Sequence, residues 1–267
     1  MATQLLFYEK AAPVTFRDHG DLSVRTGGTY GFARKVNSVP LTAVEFSAAA
    51  AAYPIVFAGD DTAVMPAVIL GARANENLFV DADGRWTGSY IPAFVRRYPF
   101  VFSAADEGKQ LILHIDETFE GCNRDGHGER LFDAGGERTQ YLQNLLRFLQ
   151  EYQGQFARTQ AYCKRLKNLD LLQPMQAQFR IAGGEERSVS GFFVVDREKL
   201  KAIETDALRQ MFDTDELECT YLHLHSLRHF NDMVKRLADS APEASAAAAD
   251  TGDDAESGEA SPEAAEV

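Results

Sequence analysis

The sequence predicts an α+β fold: a mostly antiparallel sheet that carries an internal duplication and is packed by one long helix. Three observations carry that expectation. The first is that YPIVFA at 53–58 is echoed by YPFVFS at 98–103. Each copy follows a short helix-compatible stretch, 45–52 and 90–97, and precedes an apolar run, VMPAVILG from Val64 and QLILHID from Gln110. Each then closes on a similar turn, LFVDADGRWTG from Leu78 and LFDAGGERTQ from Leu131. Self-similarity at a period of about 45–50 residues signals related units, here two helix–strand–strand units within 36–138. The second observation is a stripe. Leu142, Leu145, Leu149, Tyr152, Phe156, Thr159, Cys163 and Leu166 alternate steps of three and four, as one face of a long helix does. The third is a pair of apolar runs, 175–181 and 188–195, flanking Gly183-Gly184, a hairpin signal. Residues 1–238 read as a single globular domain, in which 139–238 supply the long helix, the hairpin and a C-terminal helix.

Taken in order, residues 5–8 are a short apolar run suited to an edge strand. Phe46 and the alanines at 48–52 favour a small, closely packed helix. Pro54 disfavours helical geometry at Tyr53 and ends it. Ile55 to Phe57 is β-branched and aromatic, as a buried strand should be. Gly59-Asp60-Asp61 turns the chain into 63–70, and 76–80 is the next expected strand. In the turn at 81–84, Gly84 supplies a positive φ. The second unit repeats this order, with a turn at 106–108, and then 120–129 reads as a Gly-rich charged loop. Its Asn123-Arg124-Asp125-Gly126 lacks the alternating ligands and closing Glu of a calcium loop. Thr139 is a good N-cap for the long helix, Gly154 weakens its middle by about 1 kcal/mol, and the stretch up to Pro174 ends it. Asp196 and Thr205 each precede a short helix. A final helix over 215–238 is expected to bury Leu217, Tyr221, Leu224, Leu227 and Met233.

Composition narrows the function classes. Of the 267 residues, 45% are hydrophobic and 25% charged, which is ordinary for a globular chain of a size that builds its own core. Nine acidic residues and no basic one lie from Asp239 onward, so of the net charge of −13 the body carries only −4. No clustered basic face points to nucleic acid. The tail, 239–267, is almost all Ala, Glu, Asp, Ser, Gly and Pro, a composition that predicts disorder. Three cysteines without a CxxC argue for a reducing compartment. No basic and apolar leader is readable at the start, and the most apolar window, 39–58, holds Glu45 and two prolines, which suits neither a signal nor a span. The expected localisation is cytoplasmic, with the cell surface by a signal-independent route as the alternative.

Few constellations could carry chemistry. His114 and Asp116 form an HxD pair, and residues two apart on a strand share a face. With a distant His, such a pair builds the iron site of two-His-one-carboxylate oxygenases; His223, His225 and His229 are the candidates for that third ligand. His225 and His229, four apart on a helical face, are half of a zinc site, though Tyr221 and Phe230 beside them suggest hydrogen-bonded histidines in or near a core. Arg96 and Arg97 could bind an anion, or complement the end of a helix. Trp86, the single tryptophan, either marks a contact surface or closes the core. No phosphate-cradling glycine loop and no nucleophile elbow is present, and no cofactor is implied.

Taken together, VNSVPL from Val36, YPIVFAG from Tyr53, LFVDADGRW from Leu78, YIPAFVRRYPF from Tyr90, ERLFD from Glu129, FLQEYQ from Phe148 and PMQAQF from Pro174 resemble the bacterial SapC family over nearly all of 4–235. The resemblance implies association with a surface layer, and with outer-membrane transporter and oxygenase-like neighbours in carbohydrate-uptake systems. It carries no catalytic residue over to this chain. The reading that follows is a non-enzymatic binding or accessory protein with a protein partner. The alternatives are a surface-layer or envelope component, and a metal-dependent oxygenase-like protein using His114 and Asp116.

Overall fold

The computed structural model describes residues 6–60, 62–105, 110–180 and 186–239. The turns expected at 106–108 and at Gly183-Gly184, and the acidic tail from Ser240, lie outside the described residues. The chain opens with β1 (Ala11–Pro13), α1 (Phe16–His19) and β2 (Ser23–Val24). β3 (Ser38–Pro40) leads through a 3-10 turn at Ala43–Glu45 into α2 (Phe46–Ala49) and the hairpin β4 (Ile55–Gly59) and β5 (Val64–Ile69). The second expected unit is α3 (Ala93–Arg96) with the hairpin β6 (Phe100–Ala105) and β7 (Gln110–Asp116), followed by the two-residue strands β8 (Cys122–Asn123) and β9 (Glu129–Arg130). Then come α4 (Gln140–Asn168), β10 (Leu172–Arg180), β11 (Glu186–Val195), α5 (Arg197–Lys201), α6 (Thr205–Asp213), α7 (Glu216–Ser226) and α8 (His229–Asp239).

Among the described residues all strand pairs are antiparallel, but they divide into three sheets, ordered β10-β11-β4-β5-β3, β1-β7-β6 and β8-β2-β9. The two hairpins are alike locally. Ile55 pairs with Val68 as Phe100 does with Ile115, and Pro54 and Pro99 each offer the carbonyl that closes the ladder, to Ile69 and Asp116. The turns that follow also match: Asp81 accepts from the Asp83 and Arg85 N–H groups, and Asp133 from Gly135 and Glu137. Yet β4 is interior to the five-stranded sheet and β6 is an edge of the three-stranded one. The two strands do not occupy equivalent places, and the duplication is not confirmed.

The long helix links the five-stranded sheet to the β1-β7-β6 sheet. Thr139 accepts from the Leu142 N–H at its start. Leu142 and Leu149 pack with Phe100, Ile115 and Leu131. Further along, Tyr162, Cys163 and Leu166 pack with Phe46, Ile55, Phe57 and Val68. Burial of one such leucine, worth about 1.5–3 kcal/mol, exceeds the cost of about 1 kcal/mol for Gly154. The other face of the five-stranded sheet meets α8, where Phe230, Met233 and Leu237 cover Val56, Ile69, Phe192 and Val194. With both faces covered, β4 has no polar alternation, which explains its IVF run.

A histidine takes the place of a ladder rung. β11 and β4 pair at Phe192 with Ala58 and at Phe193 with Phe57, a register that sets Val195 opposite Ile55. There the His223 ring stands between the strands: its Nε2 accepts from the Val195 N–H at 3.0 Å and its Nδ1 donates to the Ile55 carbonyl at 2.8 Å. The Ile55 N–H is taken up by Ser226 Oγ at 2.9 Å. Burial pulls the imidazole down to about 4, against the opposing bond to Ile55, so the ring is neutral near pH 7.

Several local expectations are corrected. Residues 6–7 form a turn and Glu9 a bend, and the first strand lies later, at Ala11–Pro13. Residues 76–80 hold only a bridge at Val80, because the Glu76 and Asn77 side chains occupy the backbone N–H groups of Ala72, Arg73 and Phe79. The final helix is two helices, α7 and α8, broken before His229. Tyr221 points outward, 48% exposed, because His223 and Thr220 form the inner face of α7. Among the described residues no helix is long and apolar enough to cross a membrane.

Candidate functional site: an aromatic cleft

The HxD pair does not converge. His114 is half-buried and its Nδ1 faces the Ile112 carbonyl at 3.1 Å. Asp116 is fully buried, and its carboxylate is taken by hydrogen bonds. It accepts from the N–H groups of Glu9 at 2.8 Å, Lys10 at 3.2 Å and Thr118 at 3.1 Å, and from the Thr118 hydroxyl at 2.7 Å. Burial pushes this acid up, but the Glu9 and Thr118 donors outweigh it and hold the carboxyl below its usual range. The second expected pair is split by the break between α7 and α8. His225 is exposed, while His229 is buried with Nδ1 2.9 Å from Asp232 Oδ2 and Nε2 2.9 Å from the Ala50 carbonyl. Among the described residues, no group of three or more His, Cys, Asp or Glu side chains could hold a metal ion.

Trp86 closes the core from outside. Its ring is half-buried, and Nε1 donates to the Tyr53 hydroxyl at 2.8 Å and the Tyr90 carbonyl at 3.0 Å. Arg96 is exposed, donates to the Ile91 carbonyl, and lies over the Tyr90 and Phe148 rings. Arg97 points the other way and is buried, its guanidinium 4.1 Å from the Phe94 ring centroid and 5.2 Å from that of Tyr152. The two arginines therefore share no anion site. Arg97 acts as a cation packed among rings.

None of Trp86, Arg96 and Arg97 lines the cleft of ≈ 520 Å³ that opens between the N-terminal segment and the residues after β7. Phe7, Phe32, Tyr98 and Phe119 form its walls, and Thr29, Lys35, Asn75 and Glu120 stand among its polar groups. The rings brace one another. Phe32 lies 4.2 Å from Tyr98, and Tyr98 meets Phe7 and Phe119 edge-on at 5.2 Å. Such contacts add about 0.5–1.5 kcal/mol each beyond burial. Asp116 sets their positions. Through Glu9 and Lys10 it ties down the N-terminal segment, through Thr118 the segment leading to Phe119, and through the Tyr98 hydroxyl, 3.4 Å away, the wall between them. Burial and the Asp116 charge push the Tyr98 hydroxyl up, so it stays protonated and donates. Tyr8 fixes the same segment by donating to the Phe100 carbonyl at 2.8 Å.

Asp116, a candidate ligand by its HxD spacing, accepts from the segments that form the cleft. No motif marks Phe7, Phe32, Tyr98, Phe119 or Lys35. The one local signal was their aromatic density, and their convergence depends on contacts between segments about a hundred residues apart, as for Glu9 and Asp116. Chemically the cleft offers neutral ring faces with cationic and anionic groups at the rim, a lining suited to an apolar group with polar ends.

No curated protein and no solved structure matches the chain. The SapC family model matches residues 14–233, a span that includes the Phe32, Tyr98 and Phe119 walls and the Asp116 clamp. The chain belongs to the SapC family.

Proposed function

We propose that this SapC-family chain is a non-enzymatic binding or accessory protein that receives part of a protein partner in the aromatic cleft. The observation that carries the reading is the cleft itself: ≈ 520 Å³, walled by rings, with Lys35 and Glu120 at its margin. The nearest buried carboxylate, Asp116, is committed to N–H and hydroxyl donors and serves to shape the wall. Aromatic side chains give large contact area at low entropic cost, which is why they concentrate where partners dock. The cellular setting we propose is cytoplasmic, and the link we propose, to outer-membrane transport or carbohydrate-uptake systems, is the one that the family resemblance implies.

The test is site-specific photo-crosslinking in the native host, with the probe at Lys35, at Glu120 on the same cleft, and at Lys164 on the exposed side of α4 as control. Both cleft positions should capture the same protein and position 164 should not. Equal capture at 164, or no adduct above background at either cleft position, would overturn the reading.

A further inference from the structure

The open edges of the sheets are guarded unequally. An unpaired edge offers N–H and C=O groups to any extended chain, and shortness, proline or charge normally blocks it. β1 and β3 are three residues long and end in Pro13 and Pro40, and β10 carries Pro174. β6 reads FVFSAA, with neither proline nor charge, at the edge of its sheet.

Register shows which of its groups point outward. The Val14 N–H bonds the Leu113 carbonyl and the Glu117 N–H bonds the Lys10 carbonyl, so the odd residues of β7 face β1. Its even residues face β6 and bond Pro99, Val101 and Ser103. Phe100, Phe102 and Ala104 therefore direct their N–H and C=O groups away from the sheet. Those of Phe100 are met within the chain, by the Arg97 carbonyl and the Tyr8 hydroxyl. Among the described residues nothing bonds the outward groups of Phe102 and Ala104. Alongside runs a groove of ≈ 390 Å³ between this hairpin and α4, lined by Phe16, Phe102, Leu111, Leu113 and Leu146. Phe16 is 50% exposed and Leu111 39%.

We propose that β6 pairs with β6 of a second copy, antiparallel about a two-fold axis at Ser103, so that one sheet runs through the dimer. An axis at Ser103 sets Phe102 of each chain opposite Ala104 of the other, so the unmet outward groups of both residues are satisfied together in an isologous contact. Each phenylalanine then lies opposite the alanine of the other chain, large against small. Directly opposed residues point to the same face, so the incoming Phe102 projects beside Ala104 and over Leu111, its cross-strand neighbour, into the outer end of the groove. A foreign strand would use the same backbone groups without this reciprocal fit.

Two variants of the full chain test the pairing. Ala104→Pro removes only an outward donor and sits on an edge, where proline is tolerated. Ser103→Cys places two thiols at a non-hydrogen-bonded pair about 4.5 Å apart at Cα, within the disulfide range of about 4.4–6.8 Å. In sedimentation, wild type should run as a dimer at micromolar concentration. Ala104→Pro should weaken dimerisation at least tenfold while its melting temperature stays within a few degrees of wild type. Mild oxidation should crosslink Ser103→Cys, but neither wild type nor the Ser103→Cys/Ala104→Pro double variant. A wild type that stays monomeric at 100 μM, a dimer unaffected by the proline, or a Ser103→Cys crosslink formed only to another protein would each overturn the proposal.

Discussion

Replacing His223 with alanine removes the side chain that stands in for a rung between β11 and β4. The Val195 N–H and the Ile55 carbonyl are then left in a site that is fully closed to solvent, since Ile55 and His223 are both 0% exposed. Each orphaned group costs about 1–3 kcal/mol, so the variant should lose about 4 kcal/mol of stability at pH 7.5. Wild type carries a matching pH signature. The folded-state value of His223, about 4, lies below the ordinary 6.5, so the unfolded chain binds the extra proton first as pH falls. The contribution is therefore fully present above pH 6.5 and is lost between 6.5 and about 4, to a total of about 3 kcal/mol. The Asp116 and Asp232 carboxyls are held below their usual range and act at lower pH, while burial raises the Glu216 carboxyl and gives it a pH dependence of opposite sign, so His223 is read as the difference between wild type and variant from pH 7 to 5. Urea unfolding at several pH values reads both effects. A loss under 1 kcal/mol in His223→Ala, or a variant that keeps the wild-type slope between pH 7 and 5, would refute the rung.

Asp116→Asn should cost about 2–4 kcal/mol, because buried donors lose a charged acceptor. It should also open the N-terminal segment to limited proteolysis near Lys10; unchanged melting and cleavage would count against the clamp. Gly154→Ala should stabilise by about 1 kcal/mol, since a Cβ there meets nothing within 4 Å, and thermal melting measures it directly. Thr139→Ala should cost about 1 kcal/mol through loss of the cap on the Leu142 N–H, a change that chemical denaturation resolves.

What the sequence disclosed follows the range of the interactions. The stripe from Leu142 to Leu166 is periodic, so α4 and its Thr139 cap could be read locally. The β4–β5 and β10–β11 hairpins announced themselves by apolar runs around turn residues. The division into separate sheets did not, because identical hairpins fit an interior and an edge equally well. The break between α7 and α8 was hidden for a similar reason. It lies where Ser226 and His229 bond Ile55 and Ala50, partners far away in sequence. The cleft was least legible of all. Asp116 looked like a ligand on a strand until Glu9, Tyr98 and Thr118 closed around it.

Hydrogen–deuterium exchange of the chain, alone and with the protein captured at Lys35, tests the binding reading most directly. Protection should concentrate in 6–9, 29–36 and 118–120, the segments that meet at the cleft. Protection elsewhere, with those three segments unchanged, would contradict it.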